Sequence, residues 1–246
     1  MRLKSVLLSL FAVATLGTGP AHAATNLVAN GDFEKTTNGT NKQLSATVTS
    51  EAKRTTITDW TSSNGNDGGY NFVLDAKTAP TSDSVIWLKG NGNGYNPLDG
   101  RGNIFASDSQ YWPGVLSQTV SGLTAGSAYT LSFDYALAQQ VGFNGANADN
   151  YWQVGFGGTS QDSTALSIAN GGFSGWQTAT MTFTANGASQ VLSFLAKGTA
   201  PGAPPFLLLD GVSLVSAVPE PATWGMLLGG IGLVGVAVRR RVKKTA

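Results

Sequence analysis

The chain has 246 residues, 41% of them hydrophobic and only 12% charged, with 32 glycines and no cysteine. A charge share about half the usual one argues against a helix bundle, which needs charged outer faces. The lack of cysteine excludes a disulfide framework and any thiolate metal site.

Residues 1–23 read as a secretory signal peptide. Arg2 and Lys4 form the basic start, Val6–Leu16 the apolar stretch, and Ala21-His22-Ala23 a small-x-small cleavage site. A permanent N-terminal anchor is the alternative, but Gly17, Gly19 and Pro20 break the apolar run. Cleavage after Ala23 removes His22, the one histidine of the chain. The mature protein then lacks both His and Cys, which excludes Ser-His-Asp and Cys-His nucleophilic sites and every His-ligated metal.

The segment 24–217 shows period-two alternation. Tyr129, Leu131, Phe133, Tyr135 and Leu137 share one strand face, with Thr130, Ser132 and Asp134 on the other. Ala179, Met181 and Phe183 alternate with threonines, and Leu192, Phe194 and Ala196 follow the turn at Asn186-Gly187. Short apolar runs at Tyr70–Leu74, Ser84–Leu88, Val115–Val120 and Tyr151–Phe156 add further strands. Gly-rich turn clusters separate them, and no stretch sustains a 3.6-residue period. About ten strands in this pattern predict an all-β fold, an antiparallel β-sandwich or jelly roll.

The ends of this segment resemble a known family. Asn26-Leu27-Val28-Ala29-Asn30-Gly31-Asp32-Phe33-Glu34 opens it, and Phe206–Val215 with Asp210-Gly211 closes it. Thr58-Asp59-Trp60 and Gly175-Trp176-Gln177 stand between. This order resembles the galactose-binding-like jelly rolls, which include many carbohydrate-binding modules. The resemblance implies that Glu34 and Asp210 meet around a structural Ca²⁺, with backbone oxygen from near Gly31 or Asp32. Hard oxygen donors suit that ion.

The residues themselves leave Asp210 open. It has the parity of Phe206, Leu208, Val212 and Leu214, so an unbroken strand would carry it to the core face, where a carboxylate needs a cation or several N–H donors. A bulge at Asp210-Gly211 would instead turn it outward.

Aromatic residues are the remaining candidates. Trp60, Trp87 and Trp176 read as core. Tyr111-Trp112-Pro113-Gly114 follows the polar run Ser107–Gln110, and Tyr151 follows another polar loop. Sugar rings stack on exposed aromatic faces. Tyr111, Trp112 and Tyr151 are therefore the candidate ligand contacts, with plain loop packing as the alternative.

The C-terminal segment, 218–246, has its own grammar. Pro219-Glu220-Pro221 precedes Trp224, an uncharged run over 224–238 follows, and a basic tail closes it with Arg239, Arg240, Arg241, Lys243 and Lys244 in 239–244. As a helix the 15-residue run spans roughly 22 Å, short of the ~30 Å hydrocarbon core. It is predicted to be one short transmembrane helix with its basic end in the cytoplasm. An ordinary tail anchor is the alternative. The order of motif, apolar helix and Arg cluster resembles the PEP-CTERM sorting signal in its PEPxxWA variant, with Gly225 where Ala is usual. That resemblance implies processing by an exosortase-type membrane protease in a Gram-negative bacterium that makes extracellular polysaccharide, and delivery to the cell surface.

The two ends hold seven of the 15 basic residues, leaving 24–218 with eight basic and thirteen acidic side chains, a net charge of −5. No basic stripe is present to bind nucleic acid. The reading is a non-catalytic, surface-sorted protein associated with extracellular polysaccharide. A structural matrix protein without sugar binding is the alternative, and a carboxylate glycosidase the remote one. Changing Pro219, Glu220 and Pro221 together to Ala should leave the tail unprocessed and the protein in the inner membrane. Mass spectrometry of the mature C-terminus checks this, and wild-type protein still ending at Ala246 contradicts it.

Overall fold

A computed structural model describes residues 25–217, apart from 66, 79–84, 89, 91, 99 and 199–203. The expected signal peptide (1–23) and C-terminal segment (218–246) lie outside the described residues. Within these, thirteen strands form two sheets. No helix among them is long and apolar enough to cross a membrane.

The seven-stranded sheet contains β1 (Lys42–Leu44), β2 (Arg54–Thr55), β4 (Asn71–Asp75), β5 (Asn103–Asp108), β7 (Ala128–Gln139), β11 (Gln177–Thr184) and β13 (Pro205–Ser216), in the order β11-β7-β13-β5-β4-β1-β2. The second contains β3 (Thr61–Ser63), β6 (Val115–Ser121), β8 (Asn147–Phe156), β10 (Leu166–Ile168) and β12 (Ser189–Lys197), ordered β10-β8-β12-β6-β3. The short β9 (Thr159–Asp162) pairs with β8. Pairing is antiparallel except between β1 and β2. The sandwich expected from the sequence is present, with more strands than its pattern announced.

The core between the sheets takes the alternating side chains. Leu131, Phe133 and Tyr135 of β7 meet Trp152, Val154 and Phe156 of β8 and Leu192 and Phe194 of β12. Trp152, fully buried, sits at the centre. Its ring lies 5.8 Å from that of Phe105 and 6.2 Å from that of Phe194. Its indole N–H donates to the Leu208 carbonyl at 3.1 Å, so one side chain ties β8 to β13 across the sandwich. Trp60 is core, as expected.

A second apolar cluster lies on the other face of the seven-stranded sheet. Phe72, Leu74, Ile104, Phe206 and Leu208 are covered there by Ile86, Leu88 and Tyr95 from the loop region. Strands β4, β5 and β13 are thus buried on both faces over much of their length, and consecutive rather than alternate apolar residues serve them.

This layering corrects three expectations. Residues 85–88 form no strand. Ile86 and Leu88 plug the outer cluster, while Trp87 is 41% exposed and not core. Trp176 is half-buried over the same outer cluster, not between the sheets, and its indole donates to Asn96 O at 2.9 Å.

The third correction concerns β13. Its register against β7 slips between Asp210 and Ser213, where Gly211 has φ +61°. The extra residue is a bulge with glycine in the left-handed region. Before it, Leu207 and Leu209 face the inter-sheet core; after it, Val212 and Leu214 do. Phe206 and Leu208 belong to the outer cluster. A single parity therefore does not run through the strand, and Asp210 goes outward with Phe206 and Leu208.

Trp152→Ala should cost ~3–5 kcal/mol, because it leaves a large cavity and removes a side-chain hydrogen bond at the centre of the sandwich. Trp87→Ala should stay within ~0.5 kcal/mol. Chemical denaturation of the two variants checks this contrast.

Candidate functional site

Two buried polar side chains stand at one end of the seven-stranded sheet. Asn71 begins β4 and Asp108 ends the neighbouring β5, and neither is more than 1% exposed. The loop 109–114 satisfies both. Asp108 Oδ1 accepts from Gln110 N at 2.8 Å and Tyr111 N at 3.0 Å. Asn71 Nδ2 donates to Gly114 O at 2.9 Å and to Ser62 Oγ at 2.8 Å, and Asn71 Oδ1 accepts from Gly114 N at 3.3 Å. Tyr70 N donates to Trp112 O at 2.8 Å, and Asn64 Nδ2 to Pro113 O at 3.0 Å. Gly69 (φ +79°) and Gly114 permit the close approach: a Cβ on Gly69 would lie 2.6 Å from the Gly114 Cα.

The clamped loop holds Trp112 at φ +45°, a left-handed conformation that bulky residues avoid. Such strain costs of order 1–3 kcal/mol and persists only where the surroundings over-determine it. The side chains it displays are large and wet. Tyr111 is 58% exposed and Trp112 71%. Their rings lie 5.9 Å apart at an interplanar angle of 27°. Tyr70 supports Tyr111 edge-on at 5.1 Å. Burial raises the pKa of Asp108 despite its two backbone donors. Burial, with the charge of Asp108 behind it, raises that of the Tyr70 phenol.

A hollow opens on each side of this ridge. The first, about 590 Å³, is lined by Tyr70, Asp108, Gln110, Tyr111, Gln140 and Phe143, among others. The second, about 600 Å³, is lined by Tyr70, Tyr111, Trp112, Asn64, Arg54 and Asp67, among others. Arg54 is engaged there by both carboxylate oxygens of Asp67, at 3.4 and 3.3 Å, and by Leu44 O at 2.9 Å.

Tyr111 and Trp112 thus stand together. Tyr151 does not join them. It is half-buried on β8, with Lys197 of β12 as its cross-strand partner, and lines neither hollow. Sequence reasoning missed Tyr70, Gln140 and Phe143. Phe143 stands alone among glycine and asparagine in Val141-Gly142-Phe143-Asn144-Gly145. That is the same signal that singled out Tyr111-Trp112.

Asp210 pairs with Arg101, whereas Glu34 holds the backbone of the two residues that follow that arginine. Glu34 Oε1 accepts from Gly102 N at 3.0 Å and Asn103 N at 2.7 Å. The Arg101 guanidinium lies 3.5 Å from Asp210 Oδ1 and 3.1 Å from Asp134 Oδ2. Asp210 Oδ1 also accepts from Gly211 N at 2.6 Å, while its buried Oδ2 has no hydrogen-bond partner. Burial pushes the Asp210 carboxyl up to about 7, against the attraction of Arg101. Among the described residues, no three His, Cys, Asp or Glu side chains are placed to share a metal ion.

A PEP-CTERM protein-sorting motif matches residues 217–241, so the chain carries that export and sorting signal. Halomucin of Haloquadratum walsbyi is 29% identical over 192 residues, which is 78% of this chain and 2% of that protein. The chain therefore spans only a small fraction of its curated relative. Among solved structures, TmCBM61 in complex with β-1,4-galactotriose is similar at TM-score 0.43 and 16% identity, over 79% of this chain and all of that one. The CBM22-1 xylan-binding domain of Paenibacillus barcinonensis Xyn10C has TM-score 0.33 and 14% identity, over 74% of this chain and 97% of its own.

The carboxyl of Asp210 gives a pH prediction. Its folded-state value of about 7 lies above the ordinary 3.8. The folded protein therefore binds the extra proton between those values, and linkage makes stability fall as pH rises through that window. Measured in EDTA, the Tm of wild type minus that of Asp210→Asn should fall from pH 4 to 7 and then level off. A difference that stays constant across that range contradicts the shift.

Proposed function

We propose that this is an exported, non-catalytic surface protein that binds carbohydrate on the Tyr70–Tyr111–Trp112 ridge and is associated with extracellular polysaccharide. The observation that carries the reading is the ridge: two near-parallel, exposed aromatic rings on a strained, fully clamped loop. A core-forming loop has no use for that arrangement. A flat sugar face stacks on such rings, and the amides of Gln110, Gln140 and Asn64 beside them suit hydroxyl groups. The sorting motif supports delivery to the cell surface through an exosortase-type protease. Hydrolysis of a glycosidic bond needs two free carboxylates facing across a cleft. Here the first hollow holds Asp108, whose Oδ1 is engaged by the loop backbone, and the second holds Asp67, paired with Arg54.

A structural calcium ion is part of the proposal. Glu34 and the unpartnered Asp210 Oδ2 would hold it, and Arg101 must then give up its place beside Asp210. Repeating the Asp210 melting series with calcium in place of EDTA tests this. A rise in the wild type that is absent in Asp210→Asn supports the ion. Identical curves in calcium and EDTA leave Arg101 as the counter-charge.

Trp112→Ala should abolish retention on the host's own polysaccharide in affinity electrophoresis while leaving the Tm within about two degrees, since an exposed loop side chain contributes little to stability. Retention should persist in high salt, because the −5 domain offers no attraction that ions would screen. A Trp112→Ala variant as unstable as Trp152→Ala would place Trp112 in the core. A wild type that retains no polysaccharide would favour the matrix-protein role.

A further inference from the structure

The two hollows share a wall, and that arrangement says how a ligand lies. The geometry points to a site that grips an internal stretch of an uncharged polysaccharide, with the glycan crossing the Tyr111 ridge and filling both hollows at once. This rests on the sugar-binding reading above and deepens it.

Tyr70 and Tyr111 line both hollows, so a ligand that crosses the ridge can reach the two at once. Each hollow adds one aromatic of its own: Phe143, 48% exposed, in the first, and Trp112 in the second. Aromatic side chains thus line the shared part and each hollow separately, so sugars in both would find a ring. The two volumes, about 590 and 600 Å³, are nearly equal, and each falls in the ~300–1,000 Å³ range of pockets that hold a small ligand alone. A site for a chain end would close on one side. Here neither hollow is subordinate to the other.

The charges select the class of glycan. The first hollow presents the Asp108 carboxylate with the Gln110 and Gln140 amides, and among the described residues no basic side chain lines it. An acidic sugar there would face a like charge without a counter-ion. The second hollow has Arg54, but both oxygens of Asp67 and the Leu44 carbonyl already engage that guanidinium. What remains on both sides is amide and aromatic surface, matched to hydroxyls and C–H faces.

The test uses the full chain in detergent and isothermal titration with β-1,4-linked gluco-, galacto-, manno- and xylo-oligosaccharides, from disaccharide to hexasaccharide. Oligogalacturonates serve as the acidic series, and a glycan array extends the survey. Affinity for the preferred neutral series should climb beyond the disaccharide. Phe143→Ala and Trp112→Ala should each weaken the hexasaccharide by about tenfold or more. Reduction of the chain end to the alditol should leave hexasaccharide affinity unchanged. Trp112→Leu, bulky but without a flat ring, replaces Trp112→Ala if that variant's Tm falls. Affinity that levels off at the disaccharide, or a hexasaccharide weakened by only one of the two variants, overturns the two-hollow path but leaves sugar binding standing. Tighter binding of the acidic series overturns the uncharged class. Retention of no glycan on the array removes the sugar-binding reading itself, and this inference with it.

Discussion

Asn71 and Asp108 are buried at the same end of one sheet, and apart from Ser62 Oγ on Asn71 it is the loop 109–114 that satisfies their side chains. A buried amide or carboxylate left without partners costs several kcal/mol, so the loop cannot leave its place without exposing that cost. The same bonds force Trp112 into a left-handed backbone and push its ring, with that of Tyr111, into water. The flanking hollows and any ligand path across the ridge follow from this clamp. It also holds the ridge in one geometry, and preorganisation of that kind lowers the ordering cost of any binding there.

The sheet beneath supplies the rigidity. Strands β4 and β5 carry apolar cover on both faces, so the ends that hold Asn71 and Asp108 are fixed from two sides. Trp152 joins this layer to the other sheet through a side-chain hydrogen bond to β13. At the opposite end of β5, Glu34 fastens the backbone of Gly102 and Asn103, and Arg101 balances Asp134 and Asp210. The first strand-like segment and the last strand also meet directly, through Leu27 N on Leu214 O and Val212 N on Gly31 O. The opening and closing motifs therefore close the domain.

How much of this was legible depended on burial pattern. Strands with one wet face, such as β7 and β12, show clean alternation, and their core residues were readable one by one. Strands buried on both faces do not alternate. In β5, Asn103, Ser107 and Asp108 are polar yet buried, and the strand escaped notice. In β13 the run Phe206–Leu209 feeds two clusters, and the Gly211 bulge changes the parity midway. The glycine after Asp210 was the readable sign of that bulge. At the site, Tyr111 and Trp112 stood out as aromatics in a polar run. Tyr151 met the same criterion but belongs to a regular strand. The pairing of Tyr70 with Tyr111, and the approach of Phe143, are products of sheet order, which local sequence does not encode.

The central claim is that Trp112 and its neighbours form a preorganised sugar-binding ridge. Indole N–H resonances of the ¹⁵N-labelled protein, followed during titration with the host's exopolysaccharide fragments, test it most directly. The account predicts a saturable shift of the Trp112 signal, while those of the buried Trp60 and Trp152 stay in place. A Trp112 signal that never moves while the fragments bind elsewhere on the sandwich would contradict it.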